Sequence, residues 1–175
     1  MYRMGHTGLA FLAVSPFVLV IGGWWGIPWT VPVIVASVTG TRLPDKDRHP
    51  PLSLIVTHRG ATHTLVGALF SSILTAGLVL GVIVVIGEEV GSRDVLRPSQ
   101  IRLLITVFMG MLVGYLSHLV GDAVTKAGVT PYWPISDRRV QLARLNSNSP
   151  LWNRVFFLGG LMTLFLAGGL VVTIQ

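Results

Sequence analysis

The sequence predicts an all-α, polytopic membrane helix bundle of about five membrane segments, one of them short. Two observations predict it. The 175-residue chain is 51% hydrophobic and only 11% charged, whereas soluble domains carry about 25% charged residues. Too little polar surface remains to coat a water-soluble globule, and the mean hydropathy of +0.70 agrees. The apolar residues also fall in runs long enough to cross a hydrocarbon core of about 30 Å, which takes about 20 helical residues. The length suits a single unit spanning residues 1–175.

The first run is Gly8–Gly26. It starts almost at the N-terminus, and no small-residue cleavage site precedes Trp24 and Trp25, so a span is expected rather than a cleaved signal peptide. Trp24, Trp25 and Trp29 cluster at its end, as in an interfacial aromatic belt. The second run, Val31–Leu43, is short, with Pro28 and Pro32 at its start and Pro44 just past its end. It is either a short span or a re-entrant segment buried in protein. Three further runs, His63–Gly87, Leu103–Ala127 and Val155–Ile174, are each long enough to span. Glu88, Glu89 and Asp94 lie in the loop after the third run and read as solvated turn residues. Gly159, Gly160, Gly168 and Gly169 in the last run are candidates for close helix contact.

If the short run spans, the N-terminus, Arg42–Thr62 and Lys126–Arg154 share one side. That side holds ten of the thirteen Lys and Arg; Arg93, Arg97 and Arg102 are opposite. Such a bias marks the cytoplasmic face, which places the N-terminus inside and the C-terminus outside. If the short run re-enters, His6 sits far from the other histidines. The formal charge of +6 fits anionic lipid headgroups. No nucleic-acid partner is expected, because no aromatic-and-basic patch of the single-strand-binding kind is present. Cysteine is absent, which excludes disulfides, zinc–thiolate sites and cysteine nucleophiles.

The chemistry gathers on the basic side. All five histidines (His6, His49, His58, His63 and His118) fall there or within a turn or two of it, with Asp45, Asp47, Asp122 and Asp137. His118 and Asp122 are four apart, which stacks them on one helix face. Ionisable groups in a spanning helix are costly and turn toward a partner or cavity. Imidazole with carboxylate suits zinc, manganese or iron(II); the alternative is a buried hydrogen-bonded pair that locks helices. Asp45 and Asp47 sit two apart in Leu43–Pro50 (LPDKDRHP). They are oxygen ligands able to bridge cations, or a solvated turn with Asp and Pro as helix breakers. In Thr57–Thr64 (THRGATHT), His58 and His63 flank Arg59, which can grip a phosphate or carboxylate. Thr62 or Thr64 reads as a helix cap. His6 joins these only by convergence. Together they predict a metal site at one membrane face.

At these residues the chain resembles the YdjM-like family of membrane-bound metal-dependent hydrolases. The matching pieces are Gly5-His6, Leu43–Asp47, His58–Thr64, Gly114–Asp122, Thr125–Val129 and Trp133-Pro134, so the likeness runs from about residue 5 to 135. Arg48 stands where the family often has His directly after the second Asp, which puts His49's role in doubt. The resemblance implies a divalent-metal site and hydrolysis. The order His, Asp, His, then His-x-x-x-Asp is also similar to the zinc-dependent phospholipase C and nuclease superfamily. That similarity implies His6, Asp45, His63, His118 and Asp122 as metal ligands.

The expectation is therefore a metal-dependent phosphoesterase acting on a lipid or other membrane-associated phosphate ester. The ligands are His6, Asp45, His63, His118 and Asp122, with His58 and Asp47 in or just behind the set. The cofactor is one or more divalent ions, zinc foremost, with manganese or iron as alternatives. A divalent ion lowers the pKa of the water it holds toward about 7. Asp45 or Asp47 would orient or deprotonate that water, and Arg59 with the helix start at His63 would face phosphate charge. Arg138 and Arg139 are either headgroup attractors or a plain lipid-facing basic stripe. The rivals are a metal or proton transporter, which requires polar groups through the membrane depth, and a non-catalytic assembly protein with a closed polar cluster.

Overall fold

A computed structural model describes residues 1–48, 50, 60–89 and 97–175. Five helices account for most of them: α1 (Arg3–Trp25), α2 (Thr30–Gly40), α3 (Leu65–Glu89), α4 (Pro98–Ala123) and α5 (Pro150–Ile174). Four are long and apolar enough to cross a membrane; α2 is not. Its 11 residues rise about 16 Å, roughly half a hydrocarbon core.

The short helix nevertheless returns the chain to where it began. α1 stops at Gly26, whose φ of +94° is left-handed backbone that favours glycine. A 3₁₀ turn, Ile27–Trp29, leads into α2. Thr30 packs against Gly22 rather than beyond the end of α1, so α2 starts already inside the span. At its other end the Thr41 hydroxyl donates to the His6 carbonyl at 3.4 Å. Thr41, His6, His63 and the C-terminal turn of α4 therefore meet at one end of the bundle, called here the site end. α3 leaves that end, α4 returns to it, and α5 starts there, where Asn153 accepts from the Tyr2 amide at 3.0 Å. At the far end, the Arg102 guanidinium lies 5.8 Å over Trp25 and 6.0 Å over Trp29. Those two tryptophans thus gain a cation–π partner.

Glycines set how closely helices approach. On α4, a methyl added at Gly110 or Gly114 would strike the Val33 or Ser37 carbonyl of α2. Gly40 meets the Met111 carbonyl in return, and Gly8 of α1 meets Phe156 and Gly160 of α5. Such small-residue seams drive helix association where lipid removes the hydrophobic driving force. Of the four glycines expected at helix contacts, only Gly160 makes one; Gly159, Gly168 and Gly169 face open space. Val14, Val18, Ile21, Val33, Ala167 and Val171 form the apolar core between α1, α2 and α5. Outward-facing Phe70, Leu78 and Val82 of α3 and Phe165, Leu166 and Leu170 of α5 are exposed. An apolar surface of that extent belongs against lipid.

The boundaries differ from the apolar runs in instructive ways. α4 and α5 begin about five residues early, at Pro98 and Pro150, because proline suits the first helical position whatever its polarity. α4 ends at Ala123 rather than Ala127: Thr125 turns back onto the Asp122 carbonyl at 2.8 Å and Gly128 adopts φ +61°. Glu88 and Glu89 are exposed, but they close α3 as helix rather than forming a turn.

Candidate metal centre

Four chain segments meet at the site end. α1 supplies His6 from its first turn, and α4 supplies His118 and Asp122 one turn apart on its inner face. The 3₁₀ turn Pro44–Arg48 supplies Asp45 and Asp47, and the turn Ala61–His63 supplies His63 immediately before α3. Thr64 caps α3, accepting from the Gly67 amide at 2.9 Å, which fixes the backbone next to His63. Gly121 lets the His6 ring lie against α4: a methyl there would sit 2.7 Å from His6 Nδ1.

His6, His63, His118, Asp47 and Asp122 are buried, and Asp45 is half-buried. Asp122 is central. Its Oδ1 lies 3.6 Å from His6 Nε2, and its Oδ2 lies 3.6 Å from His63 Nε2 and 3.7 Å from His118 Nε2. The Met1 amino group is also 3.6 Å from Oδ1. The His6 and His118 rings stack at 3.9 Å, and His63 meets His118 edge-on at 5.3 Å. Two groups can each converge on a cation, His6 with His118 and Asp122, and Asp45 with His63 and His118, their ligand atoms within 4.8 Å of one another.

Hydrogen-bond roles assign the tautomers. His118 Nδ1 lies 2.8 Å from the Thr41 carbonyl, which can only accept. Nδ1 must carry the proton, leaving a lone pair on Nε2. That Nε2 is buried without a hydrogen-bond partner among the described residues. Thr62 donates its one hydroxyl proton to Asp47 Oδ2 at 2.5 Å, so its oxygen accepts from His63 Nδ1 at 3.1 Å. Asp47 Oδ2 is also 3.4 Å from that nitrogen. His63 Nε2 is thereby a second inward lone pair. This is the carboxylate–histidine arrangement that orients metal ligands and raises their basicity.

These separations test the fit of a metal. A direct imidazole–carboxylate hydrogen bond spans about 2.7–3.2 Å, shorter than all three contacts to Asp122. Ligands bound at about 2.0–2.2 Å around one tetrahedral ion stand about 3.3–3.6 Å apart, close to the 3.6 and 3.7 Å observed. The His118 Nε2 lone pair faces that carboxylate across 3.7 Å, an arrangement that a cation between them would make favourable. Nitrogen and oxygen donors without thiolate suit zinc, manganese or iron(II). The buried His/Asp cluster can thus hold a metal ion.

His49, His58 and Arg59 lie outside the described residues. Asp137 is exposed and belongs to neither convergent group. Asp47 meets His63 Nδ1 at 3.4 Å and also through Thr62, and belongs to neither group. Sequence reasoning missed Thr41, which acts through a backbone carbonyl and so leaves no residue-type signal. It read Thr62 or Thr64 as a cap, a role that Thr64 fills, and did not anticipate that the Thr62 hydroxyl links Asp47 to His63. Tyr115 donates to the Thr62 carbonyl, pinning that link to α4; its position three residues before His118, on the same helix face, was the available clue. Replacing Thr62 with valine keeps the shape and removes the link. Metal affinity, measured by competition with a chelator, is expected to fall about 10- to 100-fold; an unchanged affinity would remove Asp47 and Thr62 from the site.

Comparison with known proteins agrees with this architecture. Inner membrane protein YdjM of Escherichia coli (strain K12) is 29% identical over 130 residues, covering 67% of this chain and 54% of the relative. The protein of the same name from Shigella flexneri matches to the same extent. The chain thus spans about half the length of the curated relatives it matches. No solved structure matches it. The YdjM inner membrane protein family matches residues 1–174, nearly every residue from the first turn of α1 to the end of α5, and the chain belongs to that family.

Proposed function

We propose that this protein is a membrane-bound, metal-dependent hydrolase of phosphate esters, with its site toward the cytoplasmic face. The observation that carries the reading is the inward Nε2 lone pair of His118, 3.7 Å from Asp122 Oδ2 and fixed from behind by Thr41. His6, His118 and Asp122 would hold the ion, with His63 Nε2 3.6 Å from Asp122 Oδ2 beside them. Because His118 has one available nitrogen, the two convergent groups are alternatives for a single ion, and a second ion would have to do without it. A divalent ion there, zinc foremost, supplies Lewis acidity toward a phosphoryl oxygen and a more acidic water.

The chain's own residues divide the remaining work. Asp47 is committed to Thr62 and His63, so it orients a ligand. Asp45 is half-buried beside a polar opening shared with Arg42 and Lys46, which makes it the better candidate to take a proton from water. The Lys and Arg bias toward the site end supports the cytoplasmic orientation.

The transporter reading requires polar groups deep in the bundle. Buried Ser72 and Thr106 instead donate to carbonyls of their own helices at 2.8 and 2.9 Å, and the buried His and Asp side chains among the described residues lie at the site end. The test is elemental analysis of the purified protein, followed by a phosphodiester and phospholipid hydrolysis screen with chelator and zinc add-back. The expected result is bound divalent metal and a hydrolysis that chelation abolishes and zinc restores. Zinc-loaded, folded protein inert toward every phosphate ester tried, yet admitting zinc into proteoliposomes, would replace this reading with the transporter.

A further inference from the structure

Two cavities adjoin the metal centre. One, of about 250 Å³, opens over His6 and Asp45 and is lined by Arg3, Arg42 and Lys46, three cations against one carboxylate. The other, of about 690 Å³, is an apolar groove along α3, walled by Leu43, Val66, Phe70, Leu74 and Trp133. Lys46 lines both. Thr62 and Tyr115, which hold the back of the His63 ligand, form the inner wall of the groove. Val66 to Leu74 covers about 12 Å along the helix, directed from the site end into the span. The exposed face of α3 around it is apolar, so the groove opens toward hydrocarbon.

We infer that these cavities form one bipartite site for a lipid phosphate, with the phosphate held by Arg3, Arg42 and Lys46 and an acyl chain lying in the α3 groove. The inference rests on the hydrolase reading, whose substrate class it narrows from phosphate esters in general to those carrying a hydrocarbon tail. Charge selects the head: the cationic opening favours a phosphate over a zwitterionic or neutral headgroup. Solvent selects the tail: a groove opening onto lipid is reached by an acyl chain without that chain leaving the bilayer. Lys46, at the junction, places the phosphate beside Asp45 and His6.

The test is a binding titration by native mass spectrometry on the full chain in detergent, with metal loaded and again after chelation. The probes are dioleoyl phosphatidic acid, dioleoylglycerol, glycerol 3-phosphate and inorganic phosphate. Phosphatidic acid is expected to bind at least tenfold more tightly than dioleoylglycerol and at least a hundredfold more tightly than glycerol 3-phosphate. The Arg3→Gln/Arg42→Gln/Lys46→Gln variant should lose the first preference and keep its affinity for dioleoylglycerol. Val66→Trp, a change at an exposed position, should weaken both lipids. Glycerol 3-phosphate or inorganic phosphate binding as tightly as the lipid would make the ligand a free phosphate and overturn the inference. So would a triple variant that keeps the preference, or a Val66→Trp protein with unchanged lipid binding, which would mean that something else fills the groove. Phosphate release in the metal-loaded arm reports separately on the hydrolase reading: lipid bound but never cleaved sinks that reading and leaves the binding site standing.

Discussion

Asp122→Ala is expected to strip the protein of divalent metal. Its two oxygens face three histidines at 3.6 to 3.7 Å, so among the described residues it is the centre of the cluster. Removing a group that merely orients a ligand costs about 10- to 100-fold in metal affinity. Losing the central carboxylate should cost more than about 100-fold, enough for the ion to be lost during purification. The measurement is metal content per chain by mass spectrometry, paired with a melting curve with and without chelator. Wild-type protein should melt at a lower temperature once chelated, because an ion that binds only the folded state stabilises it by mass action. The variant's melting temperature should not respond to chelator. The rival reading, a metal-free polar lock, predicts the reverse: no metal in the wild type, no chelator effect, and a marked loss of stability in Asp122→Ala from histidines left without their carboxylate. The His118→Ala/Asp122→Ala double variant sharpens the comparison, since it removes both residues that α4 contributes to the cluster. If it retains the wild-type metal content, the assignment fails.

Gly114→Leu is expected to be the most damaging substitution remote from the ligands. The added side chain would begin on the Ser37 carbonyl of α2, a backbone atom that no rotamer change can move. Overpacking typically costs about 1–3 kcal/mol, and here the only relief is to push α2 away from α4. That movement carries Thr41 off His118 Nδ1, so the tautomer loses its anchor and metal affinity should fall with stability. Gly159→Leu is the control. It meets open space on a lipid-facing helix and should change the melting temperature little. Equal effects from the two substitutions would show that the glycine seam does not set the α2–α4 distance.

The bundle was largely legible because its dominant signal, long apolar runs, is composition summed over 20 residues. Its edges were not, because Pro98 and Pro150 start helices through backbone geometry that hydropathy does not register. The route of the short segment was also beyond the sequence. Whether 11 residues can carry the chain back depends on where α2 starts, and its start beside Gly22 is a packing fact. Among site residues, His118 and Asp122 could be paired from spacing alone, since a helix fixes what is four residues apart. His6 joined the expected set only by convergence and resemblance, and only if the short run returned the chain, because its neighbours come from other segments. Thr41 was invisible for a different reason: a carbonyl looks the same in every residue.

The scattering of the cluster along the chain has a consequence for biogenesis. His6 enters the membrane with the first helix, whereas its partners on α4 are synthesised roughly 110 residues later. Membrane helices are delivered in order from the N-terminus, so a freshly inserted α1 carries an incomplete ligand set that cannot retain an ion. If the cluster binds an ion, capture would wait until α4 has docked, and the ion would then fasten α1 to α4. A pulse-labelled chain truncated before His118 should emerge from the ribosome membrane-inserted but metal-free, and the full chain should gain protease resistance in step with zinc.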